Sequence, residues 1–174
     1  MYETRNDLSE GTREKVIDLL APQLAAAIDL RYQAKQAHWN VKGANFIALH
    51  GLFDNVAEAC EEYIDLIAER IVQLGGVAEG TIQQAVKRSP LRPYLLGAAD
   101  GSEHVVALAD ALSSFGKGAR ETISSCDERH DHDSADIFTK VSRGIDKQLW
   151  FVEAHAFGGK KAAAEKPPRK KQVA

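Results

Sequence analysis

Cysteine is nearly absent from this chain. Only Cys60 and Cys126 occur among 174 residues, which excludes a disulfide-stapled scaffold and points to a reducing compartment. Long apolar runs are missing too. The longest uncharged apolar stretch, Leu19 to Ile28, is ten residues long and holds Pro22 and Gln23, whereas a membrane-spanning helix needs roughly 17–25 residues. The segment Met1-Tyr2-Glu3-Thr4-Arg5-Asn6-Asp7 has no basic start followed by an apolar run, so no secretory signal is expected. The alternation of apolar and polar residues that marks a half-buried strand is not found, nor is an internal repeat.

What is present suffices for one folded domain with its own core: 44% of residues are hydrophobic and 27% charged. The net charge of −3 hides an asymmetry. Gly158 to Ala174 holds Lys160, Lys161, Lys166, Arg169, Lys170 and Lys171 against Glu165 alone, a balance of +5 that leaves −8 on the rest. The expected division is a folded body over 1–157 and a flexible basic tail over 158–174, whose Lys, Ala and Pro content predicts disorder.

Within the body, apolar residues recur at helical spacing. Val16, Leu19, Leu20, Leu24, Ala27, Ile28 and Ala34 predict a helix from Thr12 to about Val41, with Pro22 as a kink or as the first turn of its second part. Lys42-Gly43-Ala44-Asn45 reads as a turn, with Asn45 as N-cap. A second helix is expected from Phe46 to Leu74, its stripe running from Phe46 through Leu49, Phe53, Cys60, Ile64 and Ile71, and Gly75-Gly76 stopping it. Between Val77 and Gly101, which includes Pro90 and Pro93, only a short helix over Thr81–Lys87 is expected. A third long helix is predicted from about Ser102 to Ser125 despite Gly116 and Gly118, and a fourth, capped by Ser134, through His155. Four long helices predict an all-α four-helix bundle, with a short extra helix in a long crossover between the second and third.

Helical bundles often hold two irons with Glu-x-x-His motifs on two helices. This chain has none. Three residues before His38, His50, His104, His130, His132 and His155 stand Lys35, Ile47, Gly101, Asp127, Arg129 and Val152. The second helix offers another set: His50, Asp54, Asp65 and Glu69. His50 and Asp54 are one helical turn apart, as are Asp65 and Glu69, and about three turns separate the two pairs, so all four share one face. His50 and Glu69 nevertheless lie roughly 28 Å apart along the axis, too far to hold one metal in one chain. Two copies of the helix, packed antiparallel across a two-fold axis between positions 59 and 60, remove the difficulty. His50 of one copy then faces Glu69 of the other, Asp54 faces Asp65, and an isologous dimer holds two equivalent clusters. His38, just before the turn at Gly43, can join His50. A mixed His, Asp and Glu set suits Fe(II) or Mn(II) better than structural zinc. The bland alternative is a solvated or salt-bridged helix face. Asp131-His132-Asp133 is a further short run of metal-type ligands in a turn.

The run Gln33-Ala34-Lys35-Gln36-Ala37-His38-Trp39-Asn40-Val41-Lys42-Gly43, followed by Asn45-Phe46-Ile47-Ala48-Leu49-His50 and Phe53-Asp54, resembles the signature of the Dps family, the DNA-binding, ferritin-like proteins of starved bacterial cells. Asp65-Leu66-Ile67-Ala68-Glu69-Arg70, Gln73-Leu74-Gly75-Gly76 and Asp146-Lys147-Gln148-Leu149-Trp150 resemble later parts of the same pattern. The likeness extends from about Thr4 to Ala156. It implies a ferritin-like four-helix bundle assembled as a hollow homododecamer built from two-fold dimers. His38, His50 and Asp54 would form one side of a ferroxidase centre, with Asp65 and Glu69 supplied by the two-fold mate. Fe(II) would be oxidised there, with hydrogen peroxide preferred over dioxygen, and ferric iron stored inside as mineral. Trp39 would intercept stray radicals. Asp127 and Asp136 would line three-fold pores and concentrate Fe(II) electrostatically. A cytoplasmic, nucleoid-associated protein is expected.

The best-known members carry their lysine-rich extension before the first helix, whereas here the basic charge lies at the other end. Lys160, Lys161, Lys166, Arg169, Lys170 and Lys171 would bind double-stranded DNA through its phosphates, without reading sequence. Twelve such arms would add avidity, and the acidic body would repel DNA. Two other readings stay open: a DNA-compacting nucleoid protein with a weak or vestigial metal site, and iron storage with peroxide detoxification but no DNA binding.

Overall fold

Short polar side chains decide where most of the helices begin. Ser9 accepts the backbone N–H of Thr12 and starts α1, Glu10–Asn40. Thr81 does the same for α3, Ile82–Arg88, through Gln84. Asp100 opens α4, Gly101–Asp127, with a capping box: its carboxylate accepts from Ser102, while Glu103 accepts the N–H groups of Ala99 and Asp100. Asp131 caps α5, His132–Ala154, by accepting from Ser134. The expected cap Ser134 therefore lies inside its helix. Asn45 stands before α2, Phe46–Gln73, without a side-chain capping bond. The computed structural model describes residues 1–156. The expected basic tail, with its boundary after 157, lies outside the described residues.

The described helices form an all-α bundle. α1 packs along α2 and α4 along α5; the pairs join through α1 with α4 and α2 with α5, and α3 rests on α1. Phe53, Phe115, Phe138, Leu24, Ile67 and Leu112 are among the fully buried side chains at the centre. α1 touches three other helices, so its alanines at 25, 26 and 27 are all buried. Pro22 sits within α1 without ending it. α2 ends in a Schellman turn. Gly75 has φ +88°, its N–H reaches the Val72 carbonyl, and that of Gly76 reaches Ile71. A side chain at Gly75 would be strained by that backbone and would press on the Tyr2 carbonyl.

The crossover from α2 to α4 runs back along the bundle, so α2 and α4 are parallel. It is tied to α1 on the way: Ser89 donates to Asp29 at 2.6 Å, and Gln33 donates to the Arg92 carbonyl at 3.0 Å. At its end the Lys42 N–H donates to the Ala99 carbonyl at 3.1 Å, fixing the start of α4 to the α1–α2 turn. The C-terminus of α1, the N-terminus of α2 and the N-terminus of α4 thus share one end of the bundle. At the other end the buried Arg70 guanidinium donates to Asp131 at 2.6 Å and to Ser134 at 2.9 Å, locking the close of α2 to the start of α5.

Candidate metal centre

Two helix ends meeting at the Val41–Asn45 turn place His38 and His50 side by side. Their rings stack with centroids 3.7 Å apart and planes 22° from parallel. His38 Nδ1 lies 2.7 Å from the His50 carbonyl, and His50 Nδ1 lies 2.8 Å from the His38 carbonyl. A carbonyl only accepts, so each Nδ1 carries the proton. With Nδ1 as the donor, Nε2 is the atom left to bind a metal through its lone pair. Backbone carbonyls orienting ring N–H groups in this way are a common outer support of metal-binding histidines. Phe46, expected in the apolar stripe, is instead 42% exposed and packs its ring 5.1 Å from that of His50.

Asp54 lies one turn beyond His50. The Lys35 ammonium donates to its carboxylate at 2.6 Å, and that hydrogen bond is the largest of the influences holding Asp54 below the ordinary carboxylate pKa. His38 Nδ1 is 3.9 Å from the same oxygen. Lys35 also stands 5.7 Å above the ring of Trp39, which is 63% exposed and so is not a core residue of the chain. Sequence reasoning passed over Lys35, although its place three residues before His38 puts a cation on the face the candidate ligands use.

Asp65 and Glu69 lie farther down α2, both exposed. Within the described residues no three His, Cys, Asp or Glu side chains are placed to hold one metal ion. The structure stacks His38 on His50 and sets Asp54 3.9 Å from His38 Nδ1, bonded to Lys35 and not grouped with the two rings as a ligand set, and it leaves Asp65 and Glu69 farther down α2. Asp127 and Asp136, the candidate pore residues, are exposed at the opposite end, around the α4–α5 turn; Asp127 is 3.1 Å from His132 Nδ1. In the Asp131-His132-Asp133 run, Asp131 is committed to Arg70 and to the cap of α5. Cys60 and Cys126 are buried free thiols, and burial pushes Cys60 up to about 12, so neither is a ready ligand or nucleophile. Among the described residues no helix is long and apolar enough to cross a membrane.

The family model for a ferritin-like domain matches residues 17–158. A DNA protection during starvation protein of Agrobacterium fabrum is 42% identical over 154 residues, spanning 88% of this chain and 95% of its own length. The structure of a Dps from Mycobacterium smegmatis, in a tetragonal form, superposes with a TM-score of 0.84 at 32% identity, covering 88% of this chain and 93% of that one. A Dps from Microbacterium arborescens, solved in a high iron form, gives 0.80 at 30% identity over 88% and 97%. The bundle, the long crossover and the extent of these matches agree, and the chain belongs to the Dps family of ferritin-like proteins.

Proposed function

We propose that this protein oxidises Fe(II) at centres shared between two subunits and stores the ferric product inside a dodecamer built from two-fold dimers. The observation that carries this reading is the reciprocal bonding of His38 and His50, which turns both Nδ1 atoms inward and leaves both Nε2 atoms free to bind. One chain supplies only half of a ligand set, because Asp65 and Glu69 are turns away from the histidines. Antiparallel pairing of α2 with its copy brings Glu69 of the mate to His50, and Asp65 of the mate to Asp54. Iron is the substrate here. Imidazole nitrogens and carboxylate oxygens suit Fe(II), and the carboxylates, as hard oxygen donors, stabilise the Fe(III) that leaves. Two Fe(II) ions together supply the two electrons that reduce one peroxide to water without releasing a hydroxyl radical, which is why hydrogen peroxide is the oxidant proposed. Trp39, exposed beside His38, would intercept radicals that escape. Asp127 and Asp136 would line an acidic entry for Fe(II).

The DNA-protecting part of the proposal rests on composition and on relatives. The A. fabrum protein is named for DNA protection during starvation. In this chain the acidic body leaves the phosphate contacts to Lys160, Lys161, Lys166, Arg169, Lys170 and Lys171. A place in the cytoplasm, on the nucleoid, follows from that binding.

Two experiments test the reading. Ferric iron formation from Fe(II) and hydrogen peroxide should be lost in His38→Ala/His50→Ala relative to the native protein. Equal rates would favour a DNA-compacting protein with a vestigial metal site. Gel shifts at low and high salt should show binding that weakens with salt and disappears on removal of residues 158–174. Unchanged binding would refute the role of the tail, and no binding by the full chain would leave iron storage alone.

A further inference from the structure

A second polar pair lies behind the candidate metal centre. The Tyr94 hydroxyl, at the end of the crossover, is 2.6 Å from His104 Nδ1 on α4. His104 is completely buried, and its Nε2 has no aligned hydrogen-bond partner. Burial holds the imidazole below its usual pKa, so the ring is neutral, while the backbone of Asn40 favours a proton on it. Asn40 follows Trp39 and stands two residues after His38. On the other side the His104 ring lies 6.3 Å from Phe53, the residue before Asp54. Tyr94, His104 and Phe53 thus form an aromatic path, with ring centroids 6.0 and 6.3 Å apart, that ends one residue before the candidate ligand Asp54. A buried histidine in the first turn of α4 adds little to packing that a leucine would not provide. A phenol hydrogen-bonded to a neutral imidazole is, in general chemistry, a good one-electron donor, because its proton has a base waiting when the electron leaves.

We infer that Tyr94 and His104 form a redox pair that quenches one-electron oxidants produced at the iron centre. The inference rests on the function proposed above. When Fe(II) meets hydrogen peroxide singly, one electron cleaves the O–O bond and gives Fe(III), hydroxide and a hydroxyl radical. Tyr94 supplies one electron to that radical, which takes a proton from solvent and becomes water. The phenolic proton of Tyr94 crosses its hydrogen bond to His104 Nδ1, leaving a neutral tyrosyl radical beside an imidazolium. Charge and atoms balance, and the positive charge is held in the pair instead of being lost to bulk.

The test is electron paramagnetic resonance on the Fe(II)-loaded native oligomer, frozen after mixing with hydrogen peroxide, with ferric iron recorded optically in the same samples. The native protein should give a tyrosyl signal that narrows when tyrosine is supplied ring-deuterated. Tyr94→Phe should lose most of it, and spin-trapped hydroxyl radical should rise. Tyr63→Phe should keep it. His104→Gln, which retains the phenol but removes the base, should also lower the signal. A tyrosyl signal that survives Tyr94→Phe, or a tryptophan signal abolished only by Trp39→Phe, overturns the inference while leaving the iron chemistry standing. Absence of ferric iron in the native samples overturns both. The deuterated native protein decides the presence of a tyrosyl radical even where a substitution harms folding.

Discussion

At the scale of single residues, chemistry here is set by what each polar atom touches. His38 and His50 give their ring protons to one another's backbone, so imidazole orientation is settled before any metal arrives. Arg70 shows the converse, a charge whose partners are structural. It is 5% exposed and holds Asp131, itself 2% exposed. Replacing Arg70 by Met strands a buried carboxylate, and the expected loss is about 3–5 kcal/mol in urea unfolding. Asp131 sits beyond the turn, more than sixty positions from Arg70 in sequence, which is why spacing alone offered it only as a ligand. Lys35 was hidden for a related reason. A cation near three candidate ligands looks like ordinary surface charge until its ammonium is found on Asp54.

Elements were more legible than contacts. Period and turn residues located the five helices of the described residues to within a few positions, because apolar spacing and caps are local properties. The sequence also signalled that Gly116 and Gly118 weaken α4, yet the helix runs through both. Close packing explains it: an added Cβ at Gly118 would lie 2.9 Å from Gln23 Nε2 of α1. Gly144 of α5 is tighter still, for a Cβ there would overlap the Tyr63 hydroxyl of α2. Gly to Ala within a helix ordinarily stabilises by about 0.5–1 kcal/mol. Gly144→Ala should reverse that sign in thermal melts, and Tyr63→Phe should rescue part of the loss in a double-mutant cycle. Gly11, with nothing near its absent Cβ, should show the ordinary gain. The capping box adds a pH dependence. Bonds from Ser102 to Asp100, and from the backbone of Ala99 and then Asp100 to Glu103, lower both carboxyl groups. A lowered folded pKa contributes stability that is present above the ordinary carboxylate value and is lost as pH falls through the folded one. Asp100→Asn/Glu103→Gln should therefore flatten the acid limb of stability against pH and leave its slope at neutral pH unchanged.

For the whole molecule, the proposed centre turns on one chain placing His38, His50 and Asp54 at one end of α2 and Asp65 and Glu69 turns away from them. The pairing proposed for His50 with Glu69 of a mate was read from positions along α2, because a two-fold axis would turn sequence symmetry into spatial contact. The remaining surfaces between subunits were not, since no local pattern records which faces meet. A shared centre, as proposed, makes a strong demand. His50→Ala and Glu69→Ala should each abolish peroxide-driven iron oxidation, yet oligomers co-assembled from equal amounts of the two should regain about a quarter of the native centres. Ferric iron absorbance checks this; no recovery on verified mixing would refute the shared centre.

The tie between Lys42 and Ala99 has an engineering consequence. The crossover is anchored beside the histidines at one end, through Lys42 and Ala99, and continues directly from α2 at the other. Replacing Ala99 by proline would leave that carbonyl in place, whereas deleting the residue would remove the acceptor that ties the start of α4 to the histidine turn. The segment between α4 and α5 bears on no histidine of the pair: an epitope inserted after Glu128 should disturb the Asp127 and Asp131 end while leaving the stacked rings of His38 and His50 in place.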